Sequence, residues 1–490
     1  MTTGAGHQPT LRLAQRCRAS AAVAAILAFA AAPAAAVDWE ANHFVSTRLA
    51  LTNSDGLSSS NDDGFGTSLR GTIGSNLRGT GRRLNFAADT TLSLITRSSD
   101  GTPEIDQNIR ALSTLELWKN RVLVDANLTS TRELVSSNSQ VSGADAGTDN
   151  DERVSVTSAS ISPYWQQRYG QWAQSLVRYR HTEVISGGSN ANDSRNDSLE
   201  LQLVAGRKFQ PWRPALLADW VRIDERSNAS LTENDLTRFS ITFANEVALS
   251  RRYSLTASIG YDNVDASSQT RDLSGVSWSV GANGQPGPRS SFQFSVGQRF
   301  GDLAINGNAS YALTANLTLR LGASHSLASG LQQLVNDSNL VTVDPITGEL
   351  VTPEGLPAGF AGSGLDNQLS LRQSVSATLV GDYGRNRIVL SGFAEQRQFD
   401  VGDEDIARVR GLITRRLSPK LSASVSSFYR YTRPQVTEAT HTVNARFDLN
   451  YRLGSRTTLF GGYSYTDRRS TDASLEYNEH VASVGGRISF

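Results

Sequence analysis

Histidines and carboxylates are where catalysis or metal binding would start in this chain, and neither forms a recognisable site. The histidines are His7, His43, His181, His325, His441 and His480. They are scattered singly, with no HExxH and no pair at metal-ligand spacing. His325 and His480 fall on mostly apolar stretches near expected strand ends, where an imidazole at a membrane interface is a simpler reading than a ligand. Asp145, Asp149, Asp151 and Glu152 cluster in DAGTDNDERV. Such carboxylates suit a hard cation like calcium, but a solvated extracellular loop is the simpler account of them. A hydrolase would need a serine, a histidine and an acid brought to one rim; serines are so abundant that their presence says little. No catalytic residue, metal or cofactor is assigned, and the chain is not read as an enzyme.

The charges that remain informative sit inside alternating segments. In HTVNARFDLNYRL, Val443, Ala445, Phe447, Leu449, Tyr451 and Leu453 share one face, and Arg446, Asp448 and Arg452 the other. Phe239, Ile241 and Phe243 oppose Arg238 in the same way, with Glu246 further along. The same alternation puts Arg178, Arg320, Arg372 and Arg487 on polar faces. Side chains alternate across a strand with period two, so these are strands with one apolar and one polar side. A cation turned toward lipid at mid-bilayer costs about 2 to 4 kcal/mol. The nine charged residues are therefore assigned to a wet lumen, where they either line a path for an anionic or hydroxyl-rich polymer or form an ion-pair network that stiffens the wall.

The elements that must carry them are long strands of roughly ten to fourteen residues, enough for the 9 to 11 that a tilted strand needs to cross a bilayer. Short links near 79–83, 119–121, 210–214, 250–252, 313–316, 381–384, 418–419 and 453–456 alternate with longer polar ones. Short turns on one side and long loops on the other are the layout of an outer-membrane barrel. Counting on that rule gives an all-β, antiparallel transmembrane barrel of about 22 strands (range 18–24), running from near Phe44 to Phe490, with no plug ahead of it. The stretches 106–119 and 457–467 mix their faces. Trp118, Trp165, Trp172 and Trp212 lie beside short turns, as an interfacial aromatic girdle requires. The longest link, about 328–366, holds Pro345, Pro353 and Pro357 and is no central strand; it either folds inward as a constriction or stands outside as a lid.

The compartment follows from the first 36 residues. Arg12, Arg16 and Arg18 precede AAVAAILAFAAAPAAA, an apolar run ending in small residues, which reads as a signal peptide cut after Ala36. Cleavage removes Cys17, the single cysteine, so disulfides and thiolate chemistry are excluded from the mature chain. Of 47 basic and 47 acidic residues, three arginines and no acids leave with it, giving a formal charge of −3. Nothing in that balance suggests nucleic acid. The closing EHVASVGGRISF alternates up to an apolar terminal residue, and Phe490 is read as the signal for the barrel assembly machinery of a Gram-negative outer membrane.

Two stretches carry a family likeness. LRGTGRRLNFAADTTLSL, residues 77 to 94, and VGQRFGDLAINGNASYALTANLTLRLGASHSL, residues 296 to 327, resemble the outer-membrane β-barrel proteins associated with the PEP-CTERM exosortase and exopolysaccharide system. The similarity of layout extends over nearly all of residues 37–490, through loose patterns of strand and turn residues. It implies a porin-like conduit or scaffold in exopolysaccharide export, with outer-membrane lipid, polysaccharide and periplasmic export proteins as partners. It transfers no catalytic residue. The alternatives are a structural or adhesive surface barrel without conduction, and a barrel enzyme.

Overall fold

The structure, a computed structural model, describes residues 37–55, 64–98, 103–134, 153–187, 193–226, 234–267, 269–333, 342–343, 350–351, 365, 368–435 and 438–490. The signal peptide and the acidic cluster at 145–152 lie outside the described residues, as does anything ahead of Val37 that bears on a plug.

Twenty-two strands make up the wall. They are β1 (Val37–Asp55), β2 (Gly64–Gly81), β3 (Leu84–Arg97), β4 (Glu104–Trp118), β5 (Val122–Leu134), β6 (Arg153–Tyr169) and β7 (Ala173–Ser186). Next come β8 (Asp193–Ala205), β9 (Trp212–Arg226), β10 (Asn234–Ala248), β11 (Tyr253–Ala266), β12 (Gly275–Gly287), β13 (Ser290–Arg299), β14 (Asp302–Thr314) and β15 (Leu317–Ala328). The last seven are β16 (Ser370–Tyr383), β17 (Asn386–Phe399), β18 (Gly402–Arg416), β19 (Leu421–Arg433), β20 (Thr440–Arg452), β21 (Thr457–Ser470) and β22 (Tyr477–Ser489). Each pairs antiparallel with its neighbours in the chain, and β1 closes on β22 from Phe44↔Ser489 to Asp55↔Asn478. Closure removes the unpaired edges that a bilayer cannot satisfy. Phe490 completes the seam: its N–H donates to the His43 carbonyl at 2.9 Å and its carbonyl accepts from the His43 N–H at 3.0 Å.

The outer face is apolar, with Phe239, Ile241 and Phe243, or Phe447 and Leu449, pointing away from the barrel. On β20 this band runs from Tyr451 at the short-turn end to His441 at the other, ten residue steps. At roughly 3.4 Å per residue and a tilt near 45°, that is about 24 Å of height, the thickness of the apolar belt of a membrane barrel. The chain thus folds as a transmembrane antiparallel β-barrel, with the strand number expected from its alternation.

Three local features differ from the sequence expectation. The first strand starts at Val37, seven residues before Phe44. Short turns also occur at 170–172 and 288–289, and two hairpins at the long-loop end are tight as well, at 300–301 and 400–401. Phe300 and Gly301 both hold positive φ, 57° and 82°, the backbone of a two-residue hairpin whose twist matches its strands.

The mixed-face stretches also have a reason. In β21, Phe460 turns into the lumen while Leu459, Tyr463 and Val484 of β22 face outward. In β4, Leu112 is directed inward opposite Asn127.

Candidate functional site

The lumen wall carries the chemistry, and its charges are sorted by side. Among the described residues, the buried charged side chains of β16–β22, β1 and β2 are Arg372, Arg397, Arg408, Arg430, Arg468, Arg48 and Arg70 against Glu395, Glu404 and Glu479. The buried ones of β3–β15 are Arg97 alone against Asp89, Asp106, Glu133, Glu225 and Asp262. Nine consecutive strands thus form a basic arc facing a more acidic one.

On the acidic side Asp89 and Asp262 each have a cation or hydroxyl within reach. Asp89 takes Arg78 at 2.8 Å, and Asp262 takes Arg299 at 2.7 Å and the Ser240 hydroxyl at 2.5 Å. On the basic side Arg397, whose side chain is fully buried, lies between Glu395 and Glu404, the latter at 2.9 Å. Removing either glutamate would leave a buried cation under-compensated, a loss of about 3 to 5 kcal/mol.

Three arginine pairs on this arc sit directly across neighbouring strands: Arg48↔Arg70, Arg372↔Arg397 and Arg408↔Arg430. Two of the guanidinium groups lie over inward phenylalanine rings, Arg48 on Phe460 and Arg408 on Phe393, both at 4.8 Å, and Arg487 lies over Phe44 at 3.7 Å. The Phe44 and Phe460 rings lie flat because glycine stands across from them. A Cβ on Gly74 would come within 2.1 Å of Phe44, and one on Gly485 within 2.4 Å of Phe460. Glycine, phenylalanine and arginine thus stack in layers from the wall into the lumen, a cation–π arrangement that holds the guanidinium face.

The residues expected from sequence occupy several places. Arg372 is part of the basic arc and is buried. The Arg446 Nε–H is shared between the two carboxylate oxygens of Asp448, at 3.0 and 2.9 Å, with Arg452 near the short-turn end of the same strand. Arg487 belongs to the Phe44 stack. Arg178 lies over the Tyr164 ring at 4.5 Å, Arg238 pairs with Asp219 at 2.9 Å, and Glu246 accepts from the Ser254 hydroxyl at 2.7 Å. Arg320 stands between Ser310 and Thr378 on the adjacent strands. Arg178, Arg238 and Glu246 lie away from the basic arc, whereas Arg320 on β15 borders it through Thr378 of β16. A hollow of about 460 Å³ in the wall between β2 and β7 is lined by Phe86, Leu112, Thr114, Asp125, Ser160 and Arg180 among others.

Trp118, Trp165, Trp172 and Trp212 all stand at the short-turn end with exposed rings. Lys208 lies over Trp172 at 3.3 Å and Arg121 over Trp118 at 5.3 Å. Near the long-loop end, tyrosine hydroxyls pair with imidazoles: Tyr429 with His441 and Tyr463 with His480, both at 2.7 Å. His181 and Tyr179 share Asp197 at 2.7 and 2.6 Å. Of this second ring of amphipathic side chains the sequence pointed only to His480, because the tyrosines and histidines that form it come from different strands.

The described parts of the 328–366 link run inward. Leu331, in a helical turn at 330–333, and Leu365 pack against Val154 and Val156 of β6 and Val184 of β7. Ser329 donates to Glu225 of β9 at 2.8 Å. Thr342–Val343 pairs with Leu350–Val351 and lies against β3. A segment that leaves the wall at β15 therefore reaches inward-facing residues of β6, β7 and β9.

A second crossing is made by 269–274, which passes over the short β13–β14 hairpin. Thr270 donates to Asp400 through its hydroxyl at 2.7 Å, Gln269 donates to the Leu369 carbonyl at 2.7 Å, and Arg271 meets Asp302 at 3.2 Å. Leu273 sits beneath it with Ile223, Leu236, Phe300 and Leu327.

No family model and no curated protein matches the chain. Solved structures with a similar outline include the siderophore receptor PirA from Acinetobacter baumannii, at 10% identity and TM-score 0.49, covering 91% of this chain and 80% of that one. The ferric-catecholate import receptor Fiu from E. coli K12 is similar at 9% identity and TM-score 0.49, covering 91% and 81%. A mutant of the ferric enterobactin receptor PfeA from Pseudomonas aeruginosa follows at 11% and 0.48, covering 91% and 80%. At this level they are similar in outline only, and no ligand or residue role is carried over from them.

Proposed function

We propose that the chain is an outer-membrane barrel of a Gram-negative bacterium that serves as a porin-like conduit or scaffold for exopolysaccharide. In this reading the short turns face the periplasm and the long loops face outward. Outer-membrane lipid contacts the apolar band, the assembly machinery reads Phe490, and polysaccharide and periplasmic export proteins are the functional partners. The observation that carries the reading is the lumen: a closed wall lined by arginine and carboxylate side chains suits a hydrated polar solute and no apolar one. The link to exopolysaccharide rests on the resemblance of residues 77–94 and 296–327.

A second reading, a surface scaffold without conduction, is favoured by one observation. Leu331 and Leu365 are pinned to the far wall, so the described part of the long link narrows the mouth. Single-channel recording of the refolded protein in a planar bilayer separates the two. Discrete conductance steps that polysaccharide fragments block, and that Arg446→Ala alters, are expected of a conduit. A silent, membrane-inserted, heat-modifiable barrel would turn the assignment to the scaffold.

A further inference from the structure

On the outside of β15–β18, toward the long-loop end, the lipid-facing surface is recessed into a hollow of about 400 Å³. Leu321, Val375, Leu390 and Val409 are exposed on that side, and period-two alternation places the side chains that line the hollow on the same face. The strand ladder sorts the lining into two rows. Ala323, Val375, Ala394 and Ala407 stand side by side across the four strands. Two residues nearer the long loops, His325, Gln373, Gln396 and Asp405 do the same. A Cβ on Gly392, below the alanine row, would meet nothing within 4 Å, so the recess runs on down the wall as a groove.

The polar row is out of keeping with its depth. His325 lies eight residue steps, and Gln396 ten, from the short-turn ends of their strands, against ten for the whole apolar run of β20. These side chains therefore face the outer edge of the acyl layer, where lipid tails offer no hydrogen bond. Asp405 is matched by Arg433 at 2.6 Å, and the Gln396 amide reaches Asp403 only at 3.5 Å. His325 is 8% exposed and stacks on Phe300 with ring centroids 6.3 Å apart. The Arg299 carbonyl faces its ring, but neither nitrogen has a partner at hydrogen-bond geometry. A closer approach of that carbonyl would satisfy one nitrogen and leave the other.

We propose that this hollow is a glycolipid site, with an acyl chain in the alanine and glycine groove and a sugar headgroup on the row from His325 to Asp405. Imidazole and primary amides both donate and accept hydrogen bonds, as sugar hydroxyls do, and Asp405 accepts. A bare phosphate offers acceptors only, and it would meet a carboxylate in the same row. An amphipathic ligand also explains why polar and small apolar residues lie one above the other on a face turned to lipid. The inference needs the outer-membrane placement of the barrel and not the conduit reading.

Native mass spectrometry of the full-length barrel, released from a detergent that carries no sugar, tests it with three probes: lipid A, its deacylated disaccharide and phosphatidylethanolamine. The expected result is one lipid A molecule retained at concentrations where the other two are lost. Ala394→Phe fills the hollow with a side chain that lipid tolerates and should abolish retention. His325→Phe keeps a ring against Phe300 but removes both nitrogens, and should weaken retention about tenfold. Heat-modifiable migration checks that each variant folds, and Gln373→Leu takes the place of one that does not. Equal retention of phosphatidylethanolamine, or retention of lipid A unchanged in the folded variants, overturns the site. Retention of the disaccharide without its chains overturns the lipid in favour of a free saccharide. A dimer that binds no lipid A and is split by Ala394→Phe assigns the face to a second copy of the chain and overturns the proposal as well.

Discussion

Leu331→Ala is the sharpest probe of whether the lumen is held closed. Leu331 is 1% exposed and rests on Val154, Val156, Val184 and Leu365, so the alanine loses most of a buried leucine's contacts. Leucine-to-alanine changes in well-packed sites cost about 2 to 5 kcal/mol, and the low end applies here because the cluster joins one inward segment to the wall and can relax. About 2 to 3 kcal/mol shifts the ratio of pinned to released segment by a factor of roughly 30 to 160. The cost falls on the segment and not on the strand ladder, which neither Leu331 nor Leu365 joins. In bilayer recordings Leu331→Ala should therefore open more often or to a larger conductance, and Leu331→Asp further still. Heat modifiability on gels should match wild type for both. Unchanged conductance and open time in both variants would refute the claim that this cluster closes the mouth.

Phe243→Arg places a cation on the lipid-facing band of β10 and should cost about 2 to 4 kcal/mol; the folded fraction recovered in liposomes measures it, with Thr242→Arg on the lumen side of the same strand as the comparison. Asp400 lies outside the strands, and the hydroxyl and backbone N–H donated by Thr270 hold its carboxyl below the usual range. A depressed value means that the contribution is present above the unfolded carboxylate range near 3.9 and is lost as pH falls through the folded one. Hydrogen exchange at 269–274 should thus be slow at neutral pH, rise below about pH 4, and rise at all pH values in Thr270→Ala. Deleting Phe490 removes a backbone pair with His43 as well as an exposed ring, and should lower the yield of assembled barrel in cells far more than the heat resistance of the fraction that does assemble.

Much of this protein is settled by short-range pattern. The side-chain period of a strand is two, so the rows in 443–453 and 239–243 specify a face for each residue without reference to any partner. The inward placement of Arg446, Asp448 and Arg238 follows from that local rule alone. Strand number follows too, since each wall element must span the same bilayer thickness, although the tight turns at 170–172, 288–289, 300–301 and 400–401 do not announce themselves by composition.

What pairs with what depends on register between strands, and that is set by closure of the whole barrel. The alternation puts Arg48 and Arg430 on polar faces, yet only the ladder shows that they oppose Arg70 and Arg408. Phe44 and Phe460 read as ordinary apolar residues until Gly74 and Gly485 are found across from them. The course of the long link is likewise a tertiary matter: Leu331 finds its partners on β6 and β7, nearly half the barrel away, and no spacing along the chain encodes that contact. The sequence determined a two-faced wall with a charged interior; only the closed structure decided that the charges are sorted into a basic and an acidic side, because the sorting is a property of strands that meet in space and not in order.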